Sequence, residues 1–308
     1  MDNIEEIKKF MLNKVADIEE IPNGAYNLRI DGESVLRNNS ENVQIIPKED
    51  KSGIDIYIKE NTKNETIYIP VLIMRGGIND LVYNDFHIGE NAQVTIVAGC
   101  GIHNHTDHNS EHNGIHTFYL EKNDKVTYVE KHYGHGEKQG KKNLSPVTTV
   151  YLKENATLTM NSTQMEGVDY AVRKTLGELD ENASFIVNEK ILTQNDQFAD
   201  SIFEVNLKGK NASTKITSRA VAKDQSKQEF HSNVIGSQES FGHIECDAIL
   251  MNDATIIAVP QISALSSDAR LIHEATIGKI AGAQLEKLLT LGLSEQEAED
   301  FIIKGFLS

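Results

Sequence analysis

The sequence predicts an all-β core in which short strands stack as successive coils of a solenoid, with a short helix before it and a helical segment after it. Two observations predict this fold. Runs of β-forming residues with a period of two follow one another over roughly 200 residues from Ile54 onward. Beneath them lies a repeat of about 30 residues with no helix between its copies, which is typical of stacked β structure.

The repeat is marked by Asn-Ala or a close variant, followed by alternating β-forming residues. Its copies succeed one another in steps of 32, 32, 27, 29 and 42 residues, at Asn91, Asn123, Asn155, Asn182, Asn211 and Asp253. Asn tolerates left-handed backbone angles and Ala lets the next coil approach closely, so the motif suits a corner. Each copy has one apolar face that only its neighbours can bury. A large antiparallel sandwich with similar turns is the alternative.

The segment before the β core is predicted to hold one helix over residues 3–14, where apolar residues recur at helical spacing. The following stretch, to about Ser52, is expected to be irregular, with turns at Pro22-Asn-Gly24 and Asp31-Gly32. These residues, 1–52, form the first of three expected regions, and the β core takes 53–262.

The third region, residues 263–308, is expected to be helical and to cap the open end of the solenoid or to offer a docking face. Ile277 to Leu291 has helical spacing, including Ala281, and Gly292 is placed as its C-cap. Ser294-Glu-Gln-Glu297 is a capping-box pattern, which predicts a second helix that ends near Gly305.

The composition of the chain disfavours several classes of function. With 46 acidic and 30 basic residues the net charge is −16, which disfavours nucleic acid as a partner. The two cysteines form no CxxC, so a zinc ribbon is not expected. The first residues lack a basic region followed by an apolar one, and no apolar run has the length of a membrane span. A cytoplasmic protein with reduced thiols is expected.

A His-rich segment is the first candidate site. It includes His103, His105, His108, His112 and His116. His103 and His105 fall on one side of an extended chain, so a metal site is one interpretation, and a polar loop is the other. Cys100 ends an apolar run, where it is either a small buried hydrophobe or a thiol with metal or persulfide chemistry.

The second candidate site lies near the C-terminus. Alternation places Ile244, Cys246 and Ala248 on one face of a strand. By spacing alone Cys246 is either a packing residue or a ligand. His273 and Glu274 are adjacent and offer nitrogen and oxygen ligands. The sequence has no Gly-rich phosphate loop and no Ser-His-Asp order, so it is not expected to bind ATP itself.

From Cys246 onward the chain resembles the SufB/SufD family. The matching segments are Cys246-Asp-Ala-Ile-Leu, Ala258-Val-Pro260, His273-Glu-Ala-Thr-Ile-Gly278, Leu291-Gly-Leu-Ser-Glu-Gln-Glu-Ala298 and Ile303-Lys-Gly305-Phe306. The β repeat is consistent with the right-handed parallel β-helix of that family. The resemblance implies a scaffold, not an enzyme, on which a transient iron–sulfur cluster is built.

The resemblance also implies partners and ligands. These are a SufC-like ABC ATPase docked at the C-terminal region, a sulfur donor, and a second subunit paired through the C-terminal regions. Cys246 and Glu274 match the cysteine and glutamate of SufB, and His273 matches the histidine of SufD. One chain therefore carries all three, which favours a homodimer, although a separate SufD-like subunit also fits. The cluster type and any need for flavin stay open.

Two functions of other classes compete with the scaffold. A His-rich all-β chain could be a metal-dependent enzyme of cupin-like design, with its metal at His103, His105 and His116. A non-catalytic adaptor solenoid, which uses only its C-terminal helices, is the other.

Overall fold

A computed structural model of the chain describes residues 4–20, 22–136, 139–280 and 282–308, and within them two sheets face each other. The first sheet contains, in spatial order, β2 (Glu33–Asn38), β1 (Tyr26–Ile30), β5 (Lys63–Ile73), β7 (Gln93–His103), β9 (Lys125–His135), β12 (Thr157–Glu166), β14 (Ser184–Thr193), β16 (Ala212–Ala222), β18 (Ser240–Leu250) and β20 (Ala269–Lys279). The second contains β19 (Thr255–Ala264), β17 (Lys227–Gly236), β15 (Phe198–Leu207), β13 (Tyr170–Leu179), β10 (Lys142–Leu144), β11 (Val147–Leu152), β8 (Ser110–Leu120), β6 (Asn79–Ile88), β4 (Gly53–Ile58) and β3 (Val43–Pro47).

Parallel pairing between coils confirms the predicted β-solenoid and excludes the antiparallel sandwich. From β4 onward each strand pairs in parallel with the strand one coil further along, so that Glu189 of β14 lies opposite Ser218 of β16. The chain alternates between the sheets at each corner, and apolar side chains fill the space between them. Phe86 and Phe118, for example, stack with ring centroids 4.2 Å apart.

The corners confirm the interpretation of the Asn-Ala repeat. Asn91, Asn123 and Asn155 have φ between 61° and 64°, the left-handed region that Asn tolerates. Their side chains form a ladder, since the Nδ2 of Asn123 donates to Oδ1 of Asn91 at 2.9 Å and that of Asn155 to Oδ1 of Asn123 at 3.1 Å. Stacked Asn side chains thus join successive coils.

The sixth copy of the repeat, at Asp253, does not lie in the same stack as the other five. The backbone N–H of Asp253 donates to the carbonyl of Asp224, and the left-handed residue there is Asn252. These residues belong to the opposite corner, from which the chain enters the second sheet at β19. Asn211 is instead followed in its own stack by Glu239, whose carbonyl accepts its N–H, which explains the irregular step of 42 residues.

The segment up to Ser52 is not irregular as expected, because β1, β2 and β3 lie within it. Asp31 and Gly32 form the turn of an antiparallel β1–β2 hairpin, both with positive φ, as a two-residue type I′ turn requires. Neither strand of this hairpin alternates, because β1 is buried at its three central residues and β2 is mostly exposed, so the sequence has the turn signal without a strand period. At the other end β20 extends to Lys279, so strands reach beyond both expected boundaries of the core.

The predicted N-terminal helix is present as α1 (Ile4–Ala16); Asn3 lies outside the described residues. It packs across the outer face of the first sheet through Met11, Leu12, Val15 and Ala16. Two glycines of β7 make this contact possible, since a Cβ on Gly99 would lie 2.2 Å from the carbonyl oxygen of Val15 and one on Gly101 2.7 Å from Met11.

Two helices follow the last strand, but they do not cap the solenoid as expected. The first, α2 (Gly282–Thr290), starts later than predicted because Ile277 belongs to β20, and Ala281 lies outside the described residues. The second, α3 (Glu295–Phe306), has the predicted capping box at Ser294 and Glu297. Apolar contacts of Ile303 and Leu307 with Val221 and Met251 hold α3 against the flank of the solenoid. Among the described residues, no helix is both long and apolar enough to cross a bilayer.

The asparagine ladder gives a stability prediction. Asn123→Ala removes two side-chain hydrogen bonds and puts Ala, which tolerates the left-handed region less well than Asn, at φ 64°, so we expect a loss of about 1–2 kcal/mol in unfolding free energy. Asn123→Gly keeps the backbone angle and should lose less. Urea denaturation of both variants would test this, and equal losses would contradict the role of the left-handed angle.

Candidate functional site

Cys246 lies on β18 and faces the interior between the two sheets, where it is 1% exposed. On its own sheet its neighbours are Ser218 of β16 and Ala275 of β20, the last strand. Only one strand therefore separates this thiol from the C-terminal end of the solenoid. The predicted inward face is confirmed, since Ile244 and Ala248 are buried beside it.

The surroundings of Cys246 keep its thiol protonated. Burial raises its pKa to about 12, and the carboxylates of Glu189 and Asp247 act in the same direction. Glu189 is itself buried, and it accepts hydrogen bonds from Ser218 Oγ at 2.8 Å and from Arg173 Nη1 at 3.2 Å. A thiolate would form here only when this environment opens or when a metal displaces the proton.

His273 lies on the same inner face as Cys246. It pairs with Ile244 across β18 and β20, two positions before the pairing of Cys246 with Ala275. That register places the Cα atoms of Cys246 and His273 about 8 Å apart. The Nε2 atom of His273 is buried and makes no hydrogen bond with the described residues, and burial lowers the pKa of the ring. A neutral imidazole with an unpartnered nitrogen suits a metal ligand.

Glu274 faces the opposite way, on the outer face of β20. Its side chain is 67% exposed, and its Oε2 lies 3.5 Å from Nε2 of His243 on the adjacent strand. A single chain therefore brings Cys246 and His273 to one face of the sheet and leaves the Glu274 carboxylate on the other. Any site that uses all three needs movement of β20 or a second copy of the chain.

Beside this site the solenoid ends in exposed apolar side chains. In the described residues, neither β19 nor β20 has a strand on its far side. Several large apolar residues of this end are at least 39% exposed: Ile257, Val259, Ile262, Leu265, Ile272 and Ile277. An uncovered apolar end next to a buried cysteine and an unpartnered histidine is what an interface between subunits would cover.

The His-rich segment divides between the outer face of the first sheet and the interior between the two sheets. His103 and His105 lie on the outer face, together with His135 of β9. Cys100 lies on the inner face and lines a cavity of about 20 Å³ with His112, His116, Glu130 and His132, which has room for one water molecule. Burial raises the pKa of the Cys100 thiol well above its usual value.

The cupin-like arrangement expected at His103, His105 and His116 is not formed. His116 points inward from β8 of the second sheet, whereas the other two lie outside the first sheet. His135, which follows the His-rich segment in the sequence, is the histidine that was not assigned to the candidate metal site. The 32-residue step of the repeat could have identified it, because the same step joins Asn91 to Asn123 and His103 to His135.

The interior histidines predict a pH dependence of stability. Burial lowers the pKa of His116 to about 4, below the value of about 6.5 expected in the unfolded chain. The folded protein then binds fewer protons than the unfolded one, so stability should fall as the pH drops from 6.5 to 4, by up to about 3 kcal/mol. His132, whose pKa burial also lowers, adds to this.

His116→Gln should flatten the dependence in urea titrations between pH 4 and 7, while the exposed His108→Gln should leave it unchanged. An unchanged slope in His116→Gln would contradict the assignment.

Comparisons with known proteins agree with one another. Residues 82–306 match the model of the SufBD core domain of the SUF system for FeS cluster assembly. An iron–sulfur cluster assembly SufBD family protein of Methanothermobacter thermautotrophicus is 30% identical over 225 residues, which are 71% of this chain and 53% of that protein. A SufBD family protein of Pyrococcus horikoshii is 27% identical over 293 residues, 90% of this chain and 85% of the relative.

A shorter match joins the chain to the iron–sulfur cluster assembly protein SufB of Bacillus subtilis, with 33% identity over 101 residues, 32% of this chain and 22% of SufB. The chain spans about half the length of the Methanothermobacter proteins that it matches.

Proposed function

Because the chain belongs to the SufBD family of iron–sulfur cluster assembly proteins, we propose that it is a scaffold subunit on which a nascent cluster is built at Cys246 and His273. The observation that carries this assignment is the position of both groups on the inner face of the last two strands of the first sheet, beside an uncovered end. The cluster is cargo in this proposal, and the chain is a scaffold and not an enzyme.

The ligand set suits a cluster that must be released. Clusters prefer thiolate ligands, and imidazole or carboxylate ligands bind them less firmly. Cys246 supplies a thiolate and His273 supplies an imidazole. Glu274 faces away from Cys246 within its own chain, so we assign its carboxylate to the cluster held by a second copy. Two copies related by a two-fold axis would each complete the other's site.

Opening of the site is the step that we assign to a partner. The Cys246 thiol is buried, with a pKa of about 12, and must become accessible before it binds iron. The sequence has no phosphate-binding loop, so the energy would come from a separate SufC-like ABC ATPase. That ATPase would act through α2 and α3, since α2 begins only three residues after β20 ends at Lys279. Sulfur would come from a separate donor protein.

Anaerobic reconstitution with Fe²⁺ and sulfide, together with the ATPase partner, tests the scaffold. We expect visible cluster absorbance and bound iron and sulfide in the wild type, loss of both in Cys246→Ala, and reduced retention in His273→Ala. Cys100→Ala is the matched control, since it removes the other buried thiol and should keep the cluster. Full cluster content in Cys246→Ala would refute the proposed site. Binding of the ATPase without any cluster would favour an adaptor.

The proposed pairing with a second copy of the chain is tested separately. Leu265, 70% exposed at the end of the solenoid, should lie in the interface, so Leu265→Asp should weaken dimerisation by about tenfold or more. Leu291→Asp is the control, because Leu291 is 73% exposed but lies between α2 and α3. Sedimentation equilibrium would measure both, and an unchanged dimer in Leu265→Asp would contradict pairing through this end.

A further inference from the structure

We propose that His103, His105 and His135 form a binding site for one divalent first-row transition metal ion, such as Zn²⁺, Co²⁺ or Fe²⁺. One ring nitrogen from each of these residues lies within 4.8 Å of the others. The site is on the outer face of the first sheet, whereas Cys246 faces the interior, so it is independent of the proposed cluster site.

The three rings are arranged around a common point. His103 and His135 are register partners at the ends of β7 and β9, and their rings stack with centroids 5.0 Å apart and an angle of 14°. His105 lies edge-on to both, with its centroid 4.0 Å from that of His103 and 6.1 Å from that of His135. Stacking of coils alone would align His103 with His135, but it does not require the His105 ring to turn towards them.

Hydrogen bonds of the residues after β7 fix the position of His105. The N–H of Asn104 donates to the carbonyl of His135 at 2.9 Å, which continues the ladder one residue beyond the strand. The fully buried Asn104 side chain donates to the carbonyl of His108 at 2.7 Å and accepts from the N–H of Thr106 at 3.0 Å. These bonds hold the loop in the turn that returns His105 to the other two rings.

The closest contact indicates a metal position. The Nδ1 atoms of His103 and His135 are 2.8 Å apart, so only one of them can carry a proton. Two nitrogens that share a tetrahedral metal at about 2.05 Å lie about 3.3 Å apart. A separation larger by about 0.5 Å would therefore let both nitrogens donate lone pairs to one ion. Small rotations of the two rings suffice for this change.

The site is sheltered on one side and open on the other. Phe10 of α1 packs edge-on against the His135 ring at 5.7 Å, and His103 is 4% exposed. A groove of about 480 Å³, which the N-terminal half of α1 and Arg75 help to line, reaches His103 and His105. A metal held by three imidazoles would thus keep a fourth position for water or an exchangeable anion.

The donor set defines the class of ion. Three neutral imidazoles without a thiolate suit zinc, cobalt, nickel and iron(II), and they fit poorly with calcium or magnesium, which prefer oxygen ligands. The groove is lined by Lys8 and Arg75 and also by Glu5 and Asp31, so its own formal charges balance and the bound ion would supply the net positive charge. Water or a small exchangeable anion is accordingly expected at the fourth position.

Titration of the metal-free full-length chain with Co²⁺ tests the site. We expect one equivalent to bind with the d–d absorption of low-coordinate cobalt and without a sulfur charge-transfer band. His105→Ala should raise the Kd by about 100-fold or more, since loss of a direct ligand exceeds the cost of losing an outer-shell partner. His105 is exposed, so this variant should fold normally. His135→Gln should behave in the same way.

His108→Ala is the matched control, because it removes an exposed histidine of the same loop outside the cluster, and it should bind Co²⁺ as the wild type does. Cys246→Ala should also keep the metal, which separates this result from failure of the scaffold proposal. The proposal is overturned if the wild type shows no d–d absorption at one equivalent, or if His105→Ala binds Co²⁺ with unchanged affinity.

Discussion

The in-register stacking of one coil on the next is the constraint on which the rest of this structure depends. The backbone of an inner strand pairs with the coil on each side, so a residue's lateral neighbours are fixed by the length of one repeat. Left-handed asparagines recur at one corner of consecutive coils, where the chain turns into the next strand of the first sheet. The same register places Cys100 beside His132, His103 beside His135, and Cys246 beside Ser218 and Ala275. Stacking of coils thus brings together residues about 30 positions apart in both candidate sites.

The interior of the middle coils is more polar than their repeat suggests. Arg173 of the second sheet lies 3.2 Å from Glu189 and 3.7 Å from Glu130 of the first, so two buried carboxylates share one buried guanidinium. Such a group stabilises little by itself, because desolvation of the charges offsets their attraction. It does penalise any shift of register, since a shift of one residue would separate the charges and leave them buried without partners. On successive coils of the first sheet, Glu189 lies beside Ser218, and Ser218 lies beside Cys246.

The sequence predicted the elements that have a clear period and missed those that do not. Alternation along β18 correctly placed Cys246, Ile244 and Ala248 inside, and the capping box at Ser294 correctly began α3. The β1–β2 hairpin was missed because β1 is buried at consecutive residues and β2 is mostly exposed, so neither short strand has an alternating pattern. Ile277 was assigned to a helix because an apolar run fits either period, and only pairing with β18 decides between them. The same alternation, applied to β20, predicts that Glu274 faces away from Cys246. The position of α3 along the flank could not be predicted, because it depends on contacts between residues distant in sequence.

The two ends of the solenoid differ in a way that limits how copies can associate. At the N-terminal end the outermost strands, β2 and β3, have 6 and 5 residues and run antiparallel to their neighbours. At the other end β19 and β20 have 10 and 11 residues and expose full-length edges. Long edges invite another strand and short ones discourage it. If two copies pair through the end formed by β19 and β20, no second long edge is left exposed, so this asymmetry would keep the stack of β-strands from growing into a fibre.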